Sequence, residues 1–294
     1  MNNRLRPGKW VMLAYLLPGF LVTVGMLILP LLTATGFSFC KFTSIKNITF
    51  VGLDNYRTLF ADKNVLQSLE NNLFLVGVSL VGQLGIAFIL AMILNSRLTS
   101  LKRFHRTVAY FPVTLSAVVV GYVWSMVFDY NFGLLGSLLK ALGCGDQVVP
   151  WLSQPSTVMI CVCIPLVWQY IGFHLVIMLS AMSSIDKEIY EMAELDGAGE
   201  FRRAVSITLP LIRNTLMVCV FLCISANMKV FDHIIAMTNG GPGYSSSVMA
   251  VYTYIISFNN MNFGYGSALS VAIFVVTATL VAVSQLVFYR RKEA

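Results

Sequence analysis

The chain is organised by long, uncharged apolar runs separated by short polar stretches. Runs extend from Trp10 to Cys40, from Asn71 to Ser96 and from Thr107 to Phe128. A fourth lies within Gln147–Ile185, a fifth begins near Leu209, and the last ends at Tyr289. A helix crosses a bilayer with roughly 20 apolar residues. The pattern therefore predicts six spans, near 11–38, 71–95, 107–128, 157–181, 209–230 and 266–289. The expected fold is an all-α polytopic membrane protein, with 1–294 as one membrane domain.

The segments between the runs carry their own signals. Arg4, Arg6 and Lys9 precede the first run, as in a signal peptide. The run is too long for an apolar signal core of roughly 7–15 residues, and no small-x-small cleavage site follows it. We expect an uncleaved span. The apolar positions from Phe132 to Leu142 suit a short helix at the membrane interface, with Trp151 at headgroup level. Asn239-Gly240-Gly241-Pro242-Gly243 is a turn signal, expected in an outer loop. Tyr252, Tyr254, Phe258 and Phe263 precede the last span, as an aromatic belt or part of an outer gate.

Composition agrees with lipid as the solvent. Hydrophobic residues make up 57% and charged residues 11%, against roughly 25% charge in a soluble domain. The net charge of +7 reads as an orientation signal rather than a nucleic-acid footprint. With the N-terminus inside, fourteen Lys and Arg fall on the inner side, among them Arg97, Lys102, Arg103 and Arg106. Five fall outside: Lys41, Lys46, Arg57, Lys63 and Lys140. Positive charge collects on the cytoplasmic side, so both termini are expected there. Four of the six cysteines lie in spans; Cys161-x-Cys163 and Cys219-x-x-x-Cys223 lack partner ligands at metal spacing. All six are read as packing residues.

The inner loop, 182–208, concentrates charge. Asp186, Glu188, Glu191, Glu194, Asp196 and Glu200 are six of the thirteen acids in the chain. Asp186 can cap a helix start, and residues 187–196 place Ile189, Tyr190 and Ala193 on one apolar face. Gly197 and Gly199 permit a stop or sharp turn. A second helical stretch follows over Glu200–Ile207, and Pro210 suits the first turn of the next span. A merely solvated loop has no use for an apolar face or a glycine joint. A helix that docks in a partner's groove needs both.

At this point the sequence resembles a known family. Glu191-x-Ala193-x-x-x-Gly197, with Asp196 and Leu209-Pro210, looks like the EAA loop of ABC importer permeases. Phe50-Val-Gly-Leu-Asp-Asn-Tyr56, Trp151-Leu152, Phe231-Asp232, Thr238-Asn-Gly-Gly-Pro242 and Phe263-Gly-Tyr-Gly-Ser-Ala268 look like landmarks of the carbohydrate branch. The first is similar to the maltose F-type and glycerol-3-phosphate A-type subunits. Met192 departs from the usual Ala. The resemblance implies a type I permease subunit of a bacterial plasma-membrane sugar importer. Its coupling helix would meet an ATPase through Glu191, Ala193, Asp196, Gly197 and Ala198. The implied partners are a second permease subunit, two ATPase subunits and an extracytoplasmic sugar-binding protein. The chain itself would bind no cofactor, with ATP and Mg on the ATPases.

Polar residues inside spans are costly and face a cavity or another helix. The fourth span holds Pro165, Trp168, Gln169, Tyr170, Gly172, Phe173 and His174. Gln169 and Phe173 share a face, as do Tyr170 and His174. Rings beside amide and imidazole groups suit a sugar's C–H faces and hydroxyls, and equally suit helix packing. In similar permeases this span contributes to the sugar site, so these residues are expected in the substrate pathway. Ser225, Asn227, Lys229 and Asp232 of the fifth span are expected there too. That helix reads as continuing outward to Thr238. Lys229 and Asp232 would then pair at i,i+3. Relatives often carry a neutral amide at Lys229, so an anionic substrate is the other reading. We expect the ion pair.

No Gly-x-x-x-x-Gly-Lys-Ser/Thr phosphate loop occurs, and His105, His174 and His233 fall in three separate regions. The chain is therefore read as no enzyme. A stand-alone secondary transporter is the competing reading. It would favour internal repeats and membrane carboxylates, of which only Asp232 is a candidate.

Overall fold

The computed structural model describes residues 8–44, 47–96 and 101–290, which form two compact units. One unit takes in residues 8–61 and 253–272, the other 62–252 and 273–290.

In the first unit, helix α1 runs Trp10–Phe37. Its apolar side chains are exposed all round, as a lipid-facing span requires. A wide π-turn at Val24–Ile28 precedes Pro30. Such a turn makes room for a proline ring that clashes with the preceding turn of a regular helix. A short antiparallel pair follows, β1 Cys40–Lys41 and β2 Thr49–Phe50, then α2 Asp54–Ala61. Asn55 explains part of its motif. Its amide donates to the carbonyls of Ser38 and Cys40 at 2.8 and 2.9 Å. The hydroxyls of Tyr56 and Ser38 lie 2.7 Å apart. Phe42 stacks on Phe263 at the start of the last helix, 5.8 Å between centroids. Phe258 meets Phe263 edge-on. Gly264 is a glycine for a steric reason: a Cβ there would run into the Cys40 carbonyl.

In the second unit, α3 runs Lys63–Asn95 and begins eight residues before the apolar run does. Asp62 caps it, accepting from Asn64 N–H at 2.9 Å. The same carboxylate accepts from Tyr252 Oη at 2.6 Å. Burial and that bond hold the Tyr252 hydroxyl protonated, above its usual range. Helix α7, Val158–Ser183, stays continuous through Pro165. Leu84, Ala87, Ala91 and Leu94 of α3 pack on Leu175, Met178, Leu179 and Met182 of α7, with Cys219 and Cys223 alongside. The two small alanines are fully buried and bring α3 and α7 close.

Two expected spans are broken. The third consists of α4, Lys102–Thr114, and α5, Ala117–Val127, which meet at 94°. Pro112 ends the helical run, and a 3₁₀ turn at Phe111–Thr114 leads into the bend. The fifth consists of α9, Glu200–Leu211, and α10, Arg213–Asn227, which meet at 78°. Pro210 lies just before this bend, not at the head of a straight span, with a π-turn at Ala204–Thr208 ahead of it. Helix α10 also stops at Asn227 instead of running on to Thr238. The chain restarts as α11, Asp232–Met237. The segment expected at the membrane interface forms a helix, α6, Leu134–Ala141, with Leu134 and Leu138 exposed. The charged loop at 182–208 holds α8, Lys187–Leu195. Helix α12, Met249–Tyr254, precedes the last helix, α13, Phe263–Arg290. The loop at 239–247 is strapped to α3, where Asn71 donates to the carbonyls of Ser247 and Tyr244.

Candidate functional site

The charged loop at 182–208, the candidate coupling element, is built around a main-chain stop. Gly197 adopts φ +76°, a conformation that costs little only for glycine. Its N–H donates to Glu194 O at 3.1 Å, and Ala198 N–H reaches back to Ala193 O at 2.9 Å. These are the two bonds of a Schellman stop. Ala193 and Ala198 sit at its two ends, and Ala193 is buried. The spacing from Ala193 to Gly197 and Ala198 is thus the spacing of a helix terminator. Asp186 stands at the N-cap position, but its side chain makes no capping bond.

The faces of α8 differ from expectation. Ile189, Tyr190 and Ala193 turn toward their own chain, where Tyr190 Oη lies 3.1 Å from Thr208 Oγ1. The outward apolar groups are Met192, Leu195 and Phe201, the last two 88% and 82% exposed. Glu188, Glu191, Asp196 and Glu200 are exposed around them. The loop offers an apolar tip with an acidic rim, and periodicity assigned the wrong face to the exterior. The signal was present in the second stretch: Phe201 is a large ring immediately after the glycine joint.

The second candidate region lies where the spans break. Gln169 is 1% exposed. Its Nε2 donates to Leu115 O at 2.9 Å, in the bend between α4 and α5. Its Oε1 accepts from His233 Nε2 at 2.7 Å, on α11 beyond the break after α10. Non-helical backbone at membrane depth is tolerated where protein groups satisfy it. One amide therefore serves both breaks. Gly172, one turn on, leaves room for the Ala109 carbonyl of α4, which a Cβ would strike.

Asn227, at the end of α10, is buried and equally committed. Its Nδ2 donates to Cys223 O at 2.8 Å, and its Oδ1 accepts from Ser79 Oγ at 3.0 Å. Its carbonyl accepts from Asn72 Nδ2 at 3.2 Å, and Asn72 Oδ1 accepts from Met249 N–H. Sequence reasoning did not single out Asn72 and Ser79. Buried amide and hydroxyl groups in an apolar run are the signal for them.

The remaining predicted pathway residues separate. Tyr170 lies near His233, ring centroids 6.3 Å apart, and Phe173 meets the buried His174 edge-on. Trp168 points elsewhere. It meets Trp124 at 5.9 Å and lines an apolar groove of about 430 Å³ with Phe74, Val78 and Ile164. Ser225 is half-buried, and Lys229 and Asp232 are exposed. The expected Lys229–Asp232 ion pair is not formed among the described residues. The helix stops between them, so their i,i+3 spacing no longer sets them on one face.

Comparison with known proteins accounts for this arrangement. Residues 83–293 match the family model described as binding-protein-dependent transport system inner membrane component. A probable ABC transporter permease of Bacillus subtilis, YurN, is 31% identical over 83% of this chain and 84% of its own length. The trehalose/maltose transport system permease MalF of Thermococcus litoralis is 32% identical over 88% of this chain and 87% of its own. The fold is also that of a solved bacterial ABC transporter involved in import of the acidic polysaccharide alginate. The TM-score is 0.82 at 24% identity, covering 96% of both chains. An all-α chain with broken spans and a Schellman-stopped loop, matched over most of its length, belongs to the family of binding-protein-dependent transport system inner membrane components, the permeases of ABC transporters.

Proposed function

We propose that this chain forms one half of the membrane pathway of an ATP-driven saccharide importer. The observation that carries the reading is the coupling loop: an apolar tip with an acidic rim, stopped by main-chain bonds and continuous with a broken span. That is a surface made to receive force from another subunit. Two ATPase subunits would bind ATP and Mg and press on this loop. A second permease subunit completes the pathway, and a binding protein delivers substrate from outside. The excess of Lys and Arg on one side favours cytoplasmic termini and a cytoplasmic loop. A saccharide is favoured by the name of the trehalose/maltose relative and by the rings and polar groups at the span breaks. Tyr170, Phe173, Ser225, Lys229 and Asp232 would meet the substrate. Gln169 and Asn227 would shape the pathway from behind, with His174 beside them.

The test is uptake of labelled di- and trisaccharides into proteoliposomes holding the chain with its co-expressed partners. Uptake that needs internal ATP and the binding protein is expected. Gradient-driven uptake by the purified chain alone would overturn the proposal in favour of a secondary transporter.

A further inference from the structure

The coupling helix and the first arm of the fifth span are joined by more than the glycine joint. Tyr190 Oη lies 3.1 Å from Thr208 Oγ1, and Glu194 Oε2 lies 3.4 Å from Arg203 Nη1. Thr208 is fully buried, and the Arg203 side chain is 20% exposed. Tyr190 and Glu194 share a face of α8 as an i,i+4 pair. Arg203 and Thr208 are five apart, which in a regular α-helix leaves them about 140° apart round the axis. The π-turn at Ala204–Thr208 removes that obstacle. Its i→i+5 winding returns the two positions toward one face. A single contact fixes a separation; two contacts a turn apart also fix an orientation.

Beyond this clasp the chain bends. Ile212 is buried at the 78° junction of α9 and α10. Main-chain bonds from Ile212 N–H to Thr208 O and from Leu216 N–H to Ile212 O span the junction. We propose that Tyr190 is a positioning residue that locks α8 onto α9, so that the two move as one rigid lever about Ile212. A push on the exposed tip at Leu195 and Phe201 then reaches the membrane arm without being lost in rotation of α8. The π-turn is the device that makes the clasp geometrically possible. This inference rests on the importer reading above.

The experiment uses the full complex in proteoliposomes and reads molecules imported per ATP hydrolysed. Tyr190→Phe and Thr208→Val each lower that ratio about fivefold, the factor that loss of one hydrogen bond commands. ATPase subunits still co-purify, and the melting temperature falls by only a few degrees, as loss of one hydrogen bond allows. The double variant is no worse than either single one, because both remove the same bond. Joining Tyr190→Cys to Thr208→Cys with a short cross-linker leaves uptake intact. An unchanged ratio in the single variants overturns the clasp, and so does uptake stopped by the cross-link. Failure of the parent chain to hold any ATPase subunit is a different result and overturns the importer reading instead.

Discussion

Gln169 Oε1 and His233 Nε2 lie 2.7 Å apart and join the fourth span to the short helix beyond the break in the fifth. The same amide donates to Leu115 O in the bend of the third. Two interrupted spans thus meet on one side chain of a continuous helix. Gln169→Leu strands a buried carbonyl and a buried N–H, each at about 1–3 kcal/mol. The purified protein is expected to melt at lower temperature in detergent with no substrate present. A variant with parental melting that loses only substrate affinity would show that the amide serves the cargo instead.

Gly197→Asp tests the coupling loop. Nothing lies within 4 Å of a Cβ at this position, so the substitution causes no clash within the chain. The positive φ adds strain of roughly 1 kcal/mol, and the new charge enlarges the acidic rim beside the apolar tip. The variant is expected to insert and fold, to lose co-purification of the ATPase subunits, and to import nothing. Gly197→Ala carries the strain alone and is expected to keep most assembly. ATP-dependent uptake by the aspartate variant would remove the loop from the interface.

Lys229→Gln separates two readings of a membrane charge. With no ion pair to break, the change in stability is expected to stay within about 0.5 kcal/mol, as for an exposed substitution away from special contacts. Thermal melting of the purified chain measures this. A loss of several degrees would mean that Lys229 holds a partner in the membrane-embedded protein.

The extent of the helices was readable because lipid enforces a simple rule: about twenty apolar residues, few charges, a polar break. Trp10–Phe37, Val158–Ser183 and Phe263–Arg290 fall within three residues of their expected ends. Hydropathy carries no information on whether an apolar run is straight. The third and fifth spans read as apolar runs like the others, though Arg213 and Lys229 fall within the fifth, and Pro112 and Pro210 were the available clues to their bends. Pro165 weakens that clue, since α7 continues through it.

Polar residues within spans were recognisable as important, but their partners were not. Gln169 and Asn227 stand out in the sequence because burial of an amide needs a reason. For Gln169 the reason turned out to be a backbone carbonyl in one bend, 54 residues away, and the His233 ring beside the other break, 64 residues away; for Asn227 it was the Ser79 hydroxyl of α3, 148 residues away. Only the fold brings such groups together. The coupling loop misled in one respect. Heptad-like spacing identified the apolar face of α8 correctly but could not tell an inward face from an outward one.

The shape of the coupling loop is drawn by main-chain bonds and a single positive dihedral angle at Gly197. Side chains on its outer surface can therefore drift through evolution while the outline stays put. A substitution there changes the chemistry that the tip presents and leaves its outline in place.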